Sequence, residues 1–435
     1  MLERGFVASL ANVATIARKR LNSSVGRNVV SLYVLQFGNY VLPLATIPYL
    51  VRVLGPEKFG LVAFGQGLMA YFSLAVNYGF DWSGTRKVAV NRDNREFVNR
   101  IAANVWGAKA LLSAATGVIL LILVMSIPRL REVVLLLLTL YGYVLGTMLF
   151  PTWLFQGMER MSVISVTNLC VRTLGAVAIF LFIRQPGDFF IYAIVFSAQG
   201  LFAGLIGAAT AFKMFRLRLT LPSWQSVRQE IAESTPFFFT TAAIGLYTSG
   251  NAFILGLLTN SVAVGYYSAA EKIVSAAAGL LGPLSQAVYP RFSRLARESR
   301  VQTLRWARRM LAFAGSAGLL LSLLLFFGAP LIVRVFLGSK YTPSTAVIAI
   351  MSPLPVLIAV SNVLGVQLLF PFGHEKRVLV IVLAAGIVNI ALAFLLAPRW
   401  QASGMATAVV VSEVVVTLGF FGWTLISKIN PLGIS

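Results

Sequence analysis

Residues 133–155 read VVLLLLTLYGYVLGTMLFPTWLF, with no charged side chain from end to end. A helix needs about 20 apolar residues to cross the ~30 Å hydrocarbon core of a bilayer. The pattern recurs along the whole chain, near 29–54, 60–84, 101–126, 133–155, 162–184, 188–212, 235–258, 262–289, 308–334, 344–370, 378–397 and 402–427. No soluble fold needs it that often. Hydrocarbon cannot satisfy an exposed strand edge, so the spans read as helices. Unbroken apolar runs such as 317–327 exclude the alternation of a large β-barrel. The prediction is an all-α polytopic membrane protein of 12 transmembrane helices. Composition agrees: 58% of residues are hydrophobic and 11% charged, where a soluble domain carries about 25% charged residues.

A net charge of +22 would suggest nucleic acid in a soluble chain. Its distribution says otherwise. With an even number of spans, both termini share a side. That side carries 25 of the 36 Lys and Arg residues, the other side 8, and three lie inside spans. The imbalance puts both termini in the cytoplasm, with the basic residues meeting anionic lipid headgroups rather than nucleic acid. Residues 1–28 lack a cleavage site. Leu2, Phe6, Leu10, Val13 and Ala17 recur at helical spacing, so the segment reads as an amphipathic helix on the cytoplasmic face. One cysteine, Cys170, and one histidine, His374, supply no metal cluster and no disulfide; Cys170 reads as a packing residue. No cofactor is expected.

The longest cytoplasmic loop, 213–234, divides the chain into lobes at 29–212 and 235–427, with a tail at 428–435. The halves echo one another. Gly60 after the first span matches Gly265 after the seventh, 205 positions on, and Arg86 matches Arg291 at the same offset. Gly157-Met158-Glu159-Arg160 matches Gly373-His374-Glu375-Lys376 before the fifth span of each half. Six spans per copy make the copies parallel. Their pseudo-two-fold axis lies along the membrane normal, around a central cavity that suits alternating access. Pro43 and Pro48 in the first span, Pro283 in the eighth, and Pro353 and Pro355 in the tenth mark kinks or hinges.

The chain resembles Wzx-type polysaccharide flippases, which share a superfamily with multidrug and toxin extruders and lipid II flippases. The resemblance rests on Leu54-Gly55 through Phe59-Gly60 and on Trp153-Leu154-Phe155-Gln156-Gly157-Met158-Glu159-Arg160-Met161. It rests also on Val264-Gly265-Tyr266-Tyr267-Ser268-Ala269-Ala270-Glu271-Lys272-Ile273 and Tyr289-Pro290-Arg291. It implies movement of an undecaprenyl-diphosphate-linked oligosaccharide repeat unit to the outer leaflet, beside a glycan polymerase and a chain-length regulator.

A charged group at the bilayer centre costs about 2.5–3.5 kcal/mol or more, so it needs a partner, water or a guest. Arg172 lies midway along the fifth span and Lys272 inside the eighth; Lys109 lies two turns into the third. With Arg86 and Arg291 at helix ends, these cations are the expected contacts of the diphosphate. Gln66 and Asn39 are expected on a hydrated glycan path, with Tyr71 and Tyr267 stacking on sugars. Glu271, Glu413 and Asp81 are expected to couple transport to H⁺ or Na⁺. Structural readings stand beside these. Glu271 can pair with Arg172 or Lys109, Glu413 can be a buried neutral carboxyl, and topology alone explains Arg86 and Arg291.

Three other functions compete with repeat-unit flipping. A multidrug–cation antiporter would favour an acidic cavity, whereas the cavity candidates here are cationic. A lipid II flippase often carries two further helices, absent here. A membrane glycan enzyme would need a large loop with catalytic residues; no P-loop and no nucleophile with a His base occurs, so the chain reads as a non-enzyme.

Overall fold

A computed structural model describes residues 24–433 apart from 219, with side chains from 42 onward except 43, 44, 246, 247, 283, 284, 286 and 287. The amphipathic helix expected at 1–28 therefore lies almost wholly outside the described residues, as do the side chains of Asn39 and Pro283.

The described residues form helices and no strand. The first half runs α1 Ser24–Asn77, α2 Phe80–Val90, α3 Arg95–Ser126, α4 Pro128–Arg131, α5 Val134–Leu149, α6 Thr152–Gly157, α7 Met161–Phe182 and α8 Phe189–Phe215. The second runs α9 Trp224–Thr248, α10 Asn251–Leu258, α11 Ser261–Gly279, α12 Gly282–Glu298, α13 Arg300–Ile332, α14 Ser344–Met351, α15 Leu354–Asn362 and α16 Glu375–Ile426. The loop expected at 213–234 is thus already helical from Trp224.

Helix α1 is two arms folded back at Gly55, whose φ of 70° is open to glycine and strained for most other residues. It runs helically through Pro43 and Pro48. Helix α16 folds back at Gln401 (φ 48°, ψ −124°). Eight stretches among the described residues are long and apolar enough to cross a membrane, and Ala45–Val90 and Glu375–Ile426 are two of them. Twelve were expected. Folding back accounts for part of the difference. Helices α9 to α12 account for more: they break at Ser249–Gly250 and Leu280–Leu281, and α11 carries Glu271 and Lys272.

Three hydrophobic cores hold the bundle together. The largest draws on both halves, with Leu54, Phe59, Leu130 and Ile183 from the first and Val264, Tyr267, Leu337 and Ala402 from the second. A second core, around Phe80, Val98, Trp153 and Phe155, belongs to the first half. A third, around Phe292, Leu304, Leu369 and Phe420, belongs to the second. The halves are therefore fused at the end bearing the Gly55 turn and have separate cores at the other. Helix α9 joins both: Val227 is buried in the first half's core and Ala243 in the second's. Lys87 on α2 holds α9 by ion pairs to Glu230 (2.8 Å) and Glu233 (2.7 Å).

The fused end depends on missing side chains. A Cβ on Gly60 would collide with the Ser261 carbonyl, and one on Gly265 with the Pro56 carbonyl. Further along, Gly67 faces Phe253 and Gly256 faces Phe64. Close backbone approach of this kind replaces the hydrophobic drive that lipid removes. Gly265→Ala is expected to cost about 1–3 kcal/mol by overpacking, read as a lower melting temperature of the purified protein. Gly422→Ala, at a position with open space around it, is the control and should not lower it.

Candidate functional site

A cavity of about 490 Å³ opens inside the first half. Its walls come from the first arm of α1 (Leu42, Thr46, Ile47, Leu50), from α5, from α7 and from α8. Glycines set its shape. Gly146 on α5 meets the Gly200 backbone on α8, and Gly204 meets Leu149, so α5 and α8 pack tightly. Gly200 also leaves room for Tyr143, whose ring stacks on Phe196 (centroids 4.6 Å apart, 24° between planes). On α7, Asn168, Arg172 and Ala176 recur every four residues, so all three present to one face. Gly175 makes way for the Gln199 amide, which a Cβ there would strike.

Arg172 and Lys272 both line this cavity. Lys272, on α11, is the one lining side chain among the described residues that comes from the second half. The cavity thus brings two cations together from opposite halves. It adds amides, hydroxyls and a phenol at Asn77, Asn168, Gln199, Thr147, Thr152 and Tyr143. Chemically it can hold an anion with a polar body attached: guanidinium and ammonium donate charge-assisted hydrogen bonds to phosphate oxygens, and aromatic faces and amides suit sugars.

The other predicted residues divide by place. Gln66 stands behind the wall and donates to the Tyr192 hydroxyl (3.3 Å), which itself lines the cavity. Tyr71, Tyr267 and Glu271 lie at the seam between halves. Tyr71 fits against Gly250, and fully buried Tyr267 donates its hydroxyl proton to the Glu271 carboxylate (3.1 Å). Lys109 is 1% exposed and is not among the side chains lining the cavity. It donates to the carbonyls of Thr147 (2.8 Å), which Pro151 leaves without an amide donor, and Phe150 (3.4 Å). Asp81 is within electrostatic reach of it. Glu413 is 6% exposed in the second half and accepts from Ser361 (2.7 Å). Arg86 lines a separate space of about 340 Å³ with Lys87, Glu233 and Phe237. Arg291 lies over the Trp306 ring (3.8 Å). Glu271 accepts its hydrogen bond from Tyr267, and Lys109 spends its own on backbone carbonyls. Cys170 is exposed, on the outward side of α7, rather than packed.

Sequence reasoning missed Tyr143, Asn168, Tyr192 and Gln199. Asn168 carried a signal, standing four residues before Arg172. Among the described residues no group of His, Cys, Asp and Glu could hold a metal ion.

Lys109→Met is expected to destabilise the protein by about 3 kcal/mol, because it orphans the Thr147 carbonyl and leaves Asp81 buried without its counter-charge. Asp81→Asn in the same chain should recover part of the loss in a thermal melt.

A family model described as "Polysaccharide biosynthesis protein" matches residues 25–296. A protein of Escherichia coli (strain K12) named "Putative O-antigen transporter" is 33% identical over 394 residues, covering 91% of this chain and 95% of its own. A protein of the same name from Shigella dysenteriae is 31% identical over 398 residues, covering 90% and 98%. Two solved structures share the fold. The lipid II flippase MurJ in an inward closed conformation has a TM-score of 0.70 at 14% identity, over 92% of this chain and 90% of that one. An inward-facing multidrug resistance MATE family transporter of the MOP superfamily has a TM-score of 0.69 at 15% identity, over 90% and 96%.

Proposed function

The chain belongs to the polysaccharide biosynthesis protein family, and we propose that it carries undecaprenyl-diphosphate-linked oligosaccharide repeat units from the cytoplasmic to the outer leaflet. At the coarser level it is a polysaccharide flippase, a multi-pass membrane transporter rather than an enzyme. The observation that carries the finer reading is the cavity bearing Arg172 from one half and Lys272 from the other. Two cations lining one cavity suit a diphosphate, whose oxygens accept charge-assisted hydrogen bonds from both. The same two charges disfavour an organic cation as cargo, which argues against drug–cation antiport.

The glycan is taken to lie along Tyr143, Asn168 and Gln199, with Gln66 setting Tyr192 from behind. Lys109 is proposed to hold the wall rather than touch cargo. A cation gradient drives the cycle, with Glu271, beside Lys272 in the chain, as the first carboxylate to test; Asp81 and Glu413 follow. Cytoplasmic termini are supported by the 25 to 8 division of basic residues, and an inner-membrane setting goes with the proposed cargo.

The test is transfer of a labelled undecaprenyl-diphosphate oligosaccharide between leaflets of liposomes holding the purified protein. A charge-assisted contact is worth about 1.5–3 kcal/mol, so Arg172→Ala and Lys272→Ala should each slow transfer roughly 10- to 100-fold. Undiminished transfer in both would remove the cavity from the mechanism. Wild-type movement of a cationic dye in place of the lipid would restore the antiport reading. Glu271→Gln is expected to abolish acceleration by an imposed pH or Na⁺ gradient while leaving slow ungraded transfer. Gradient dependence that survives in Glu271→Gln would exclude this carboxylate as the coupling group.

A further inference from the structure

Helices α12 and α13 form a hairpin around Ser299, whose hydroxyl caps α13 by accepting from the Gln302 amide (3.3 Å). Residues 282–310 contain seven arginines, at 291, 294, 297, 300, 305, 308 and 309, and one acid, Glu298. All seven are exposed. Phe292, Leu295, Thr303, Leu304 and Ala307 face inward.

The corresponding hairpin of the first half, between α2 and α3, also carries cations and pairs three of its five, leaving Arg86 and Arg95. Lys87 meets Glu230 and Glu233, Arg92 meets Glu159, and Arg100 meets Glu96. Arg291, Arg294, Arg297, Arg305 and Arg309 have no carboxylate within ion-pair distance among the described residues. Instead Arg291 lies 3.8 Å over the Trp306 ring, and Arg309 lies 6.0 Å from it. An indole face holds a guanidinium while leaving its N–H edge free to donate outward.

The level of this cluster in the membrane follows from the helix. Arg309 stands one turn before Phe313, and exposed Phe313, Leu319, Leu320, Leu323, Leu324, Phe326 and Phe327 form the lipid-facing side beyond it. Trp306 and the two guanidiniums therefore lie where hydrocarbon gives way to headgroups. A topology signal needs only an excess of positive charge. It does not require unpaired arginines laid on one indole at headgroup depth.

We propose that Arg291 and Arg309, set by Trp306, form a binding site for the phosphate of an anionic phospholipid. Arg305 widens the site along α13. A second arginine–tryptophan pair, Arg377 over Trp423 (4.6 Å), lies in the same half, and the Arg300 guanidinium donates to the Lys428 carbonyl, tying the hairpin to the end of α16. A lipid held here is ring-fenced by the second half alone, away from the transport cavity.

The full-length protein is tested in nanodiscs mixing phosphatidylglycerol with phosphatidylcholine, with the lipid retained after detergent extraction quantified by mass spectrometry. Wild type should retain phosphatidylglycerol preferentially. Arg291→Gln with Arg309→Gln should lower that preference about thirtyfold, from the usual contribution of a basic residue at an anionic surface. An unchanged preference overturns the proposal. So does displacement of the lipid by millimolar inorganic phosphate, which would mark a site for free anions. If the double variant does not fold, brominated phosphatidylglycerol reports instead: it should quench wild-type fluorescence more than that of Trp306→Phe, and equal quenching in the two overturns the site.

Discussion

A cation inside hydrocarbon is the constraint from which the rest of this structure can be read. The three buried or membrane-embedded cations meet it in two ways. Lys109 spends its protons on the carbonyls of Thr147 and Phe150. Arg172 and Lys272 face a shared space instead. The first arrangement holds a helix end; the second leaves two cations bordering a cavity wide enough for a guest.

Glycine carries the complementary task of bringing backbones together. At the fused end Gly60 and Gly265 let the two halves meet carbonyl to backbone, while around the cavity Gly146, Gly175 and Gly200 clear space for neighbouring side chains. In lipid, where apolar surface gains nothing by leaving the solvent, such contact is the main cohesive force. The three cores follow this division. One is common to both halves, and the other two keep the halves distinct at the opposite end.

Much of this was legible in the chain. Arg172 and Lys272 stand out because a charge in an apolar run is conspicuous. The repeat that links Gly60 with Gly265 was visible as an echo, but the direct meeting of the two positions was not. The breaks were harder. Prolines drew attention to Pro43 and Pro48, through which α1 stays helical, whereas Tyr78–Gly79 and Ser249–Gly250 interrupt their spans with left-handed glycines. Asn168, Gln199 and Tyr143 were overlooked because a polar residue in a span usually binds a neighbouring helix, and only packing separates that use from lining a cavity. Lys109 depended on a helix end about 40 residues away, a relation no local pattern records.

The sharing of α9 has a consequence for how the protein is made. Its first turns fill the core around Trp153, and Glu230 takes up Lys87. When the ribosome has finished α8, the first half is therefore an incomplete body with an unfilled groove between α2 and α3. It closes only when residues from the opening of the second half are inserted. Synthesis proceeds past the midpoint of the gene before its first product is whole, so cutting the coding sequence between α8 and α9 would yield two fragments, neither of which owns all of its interior.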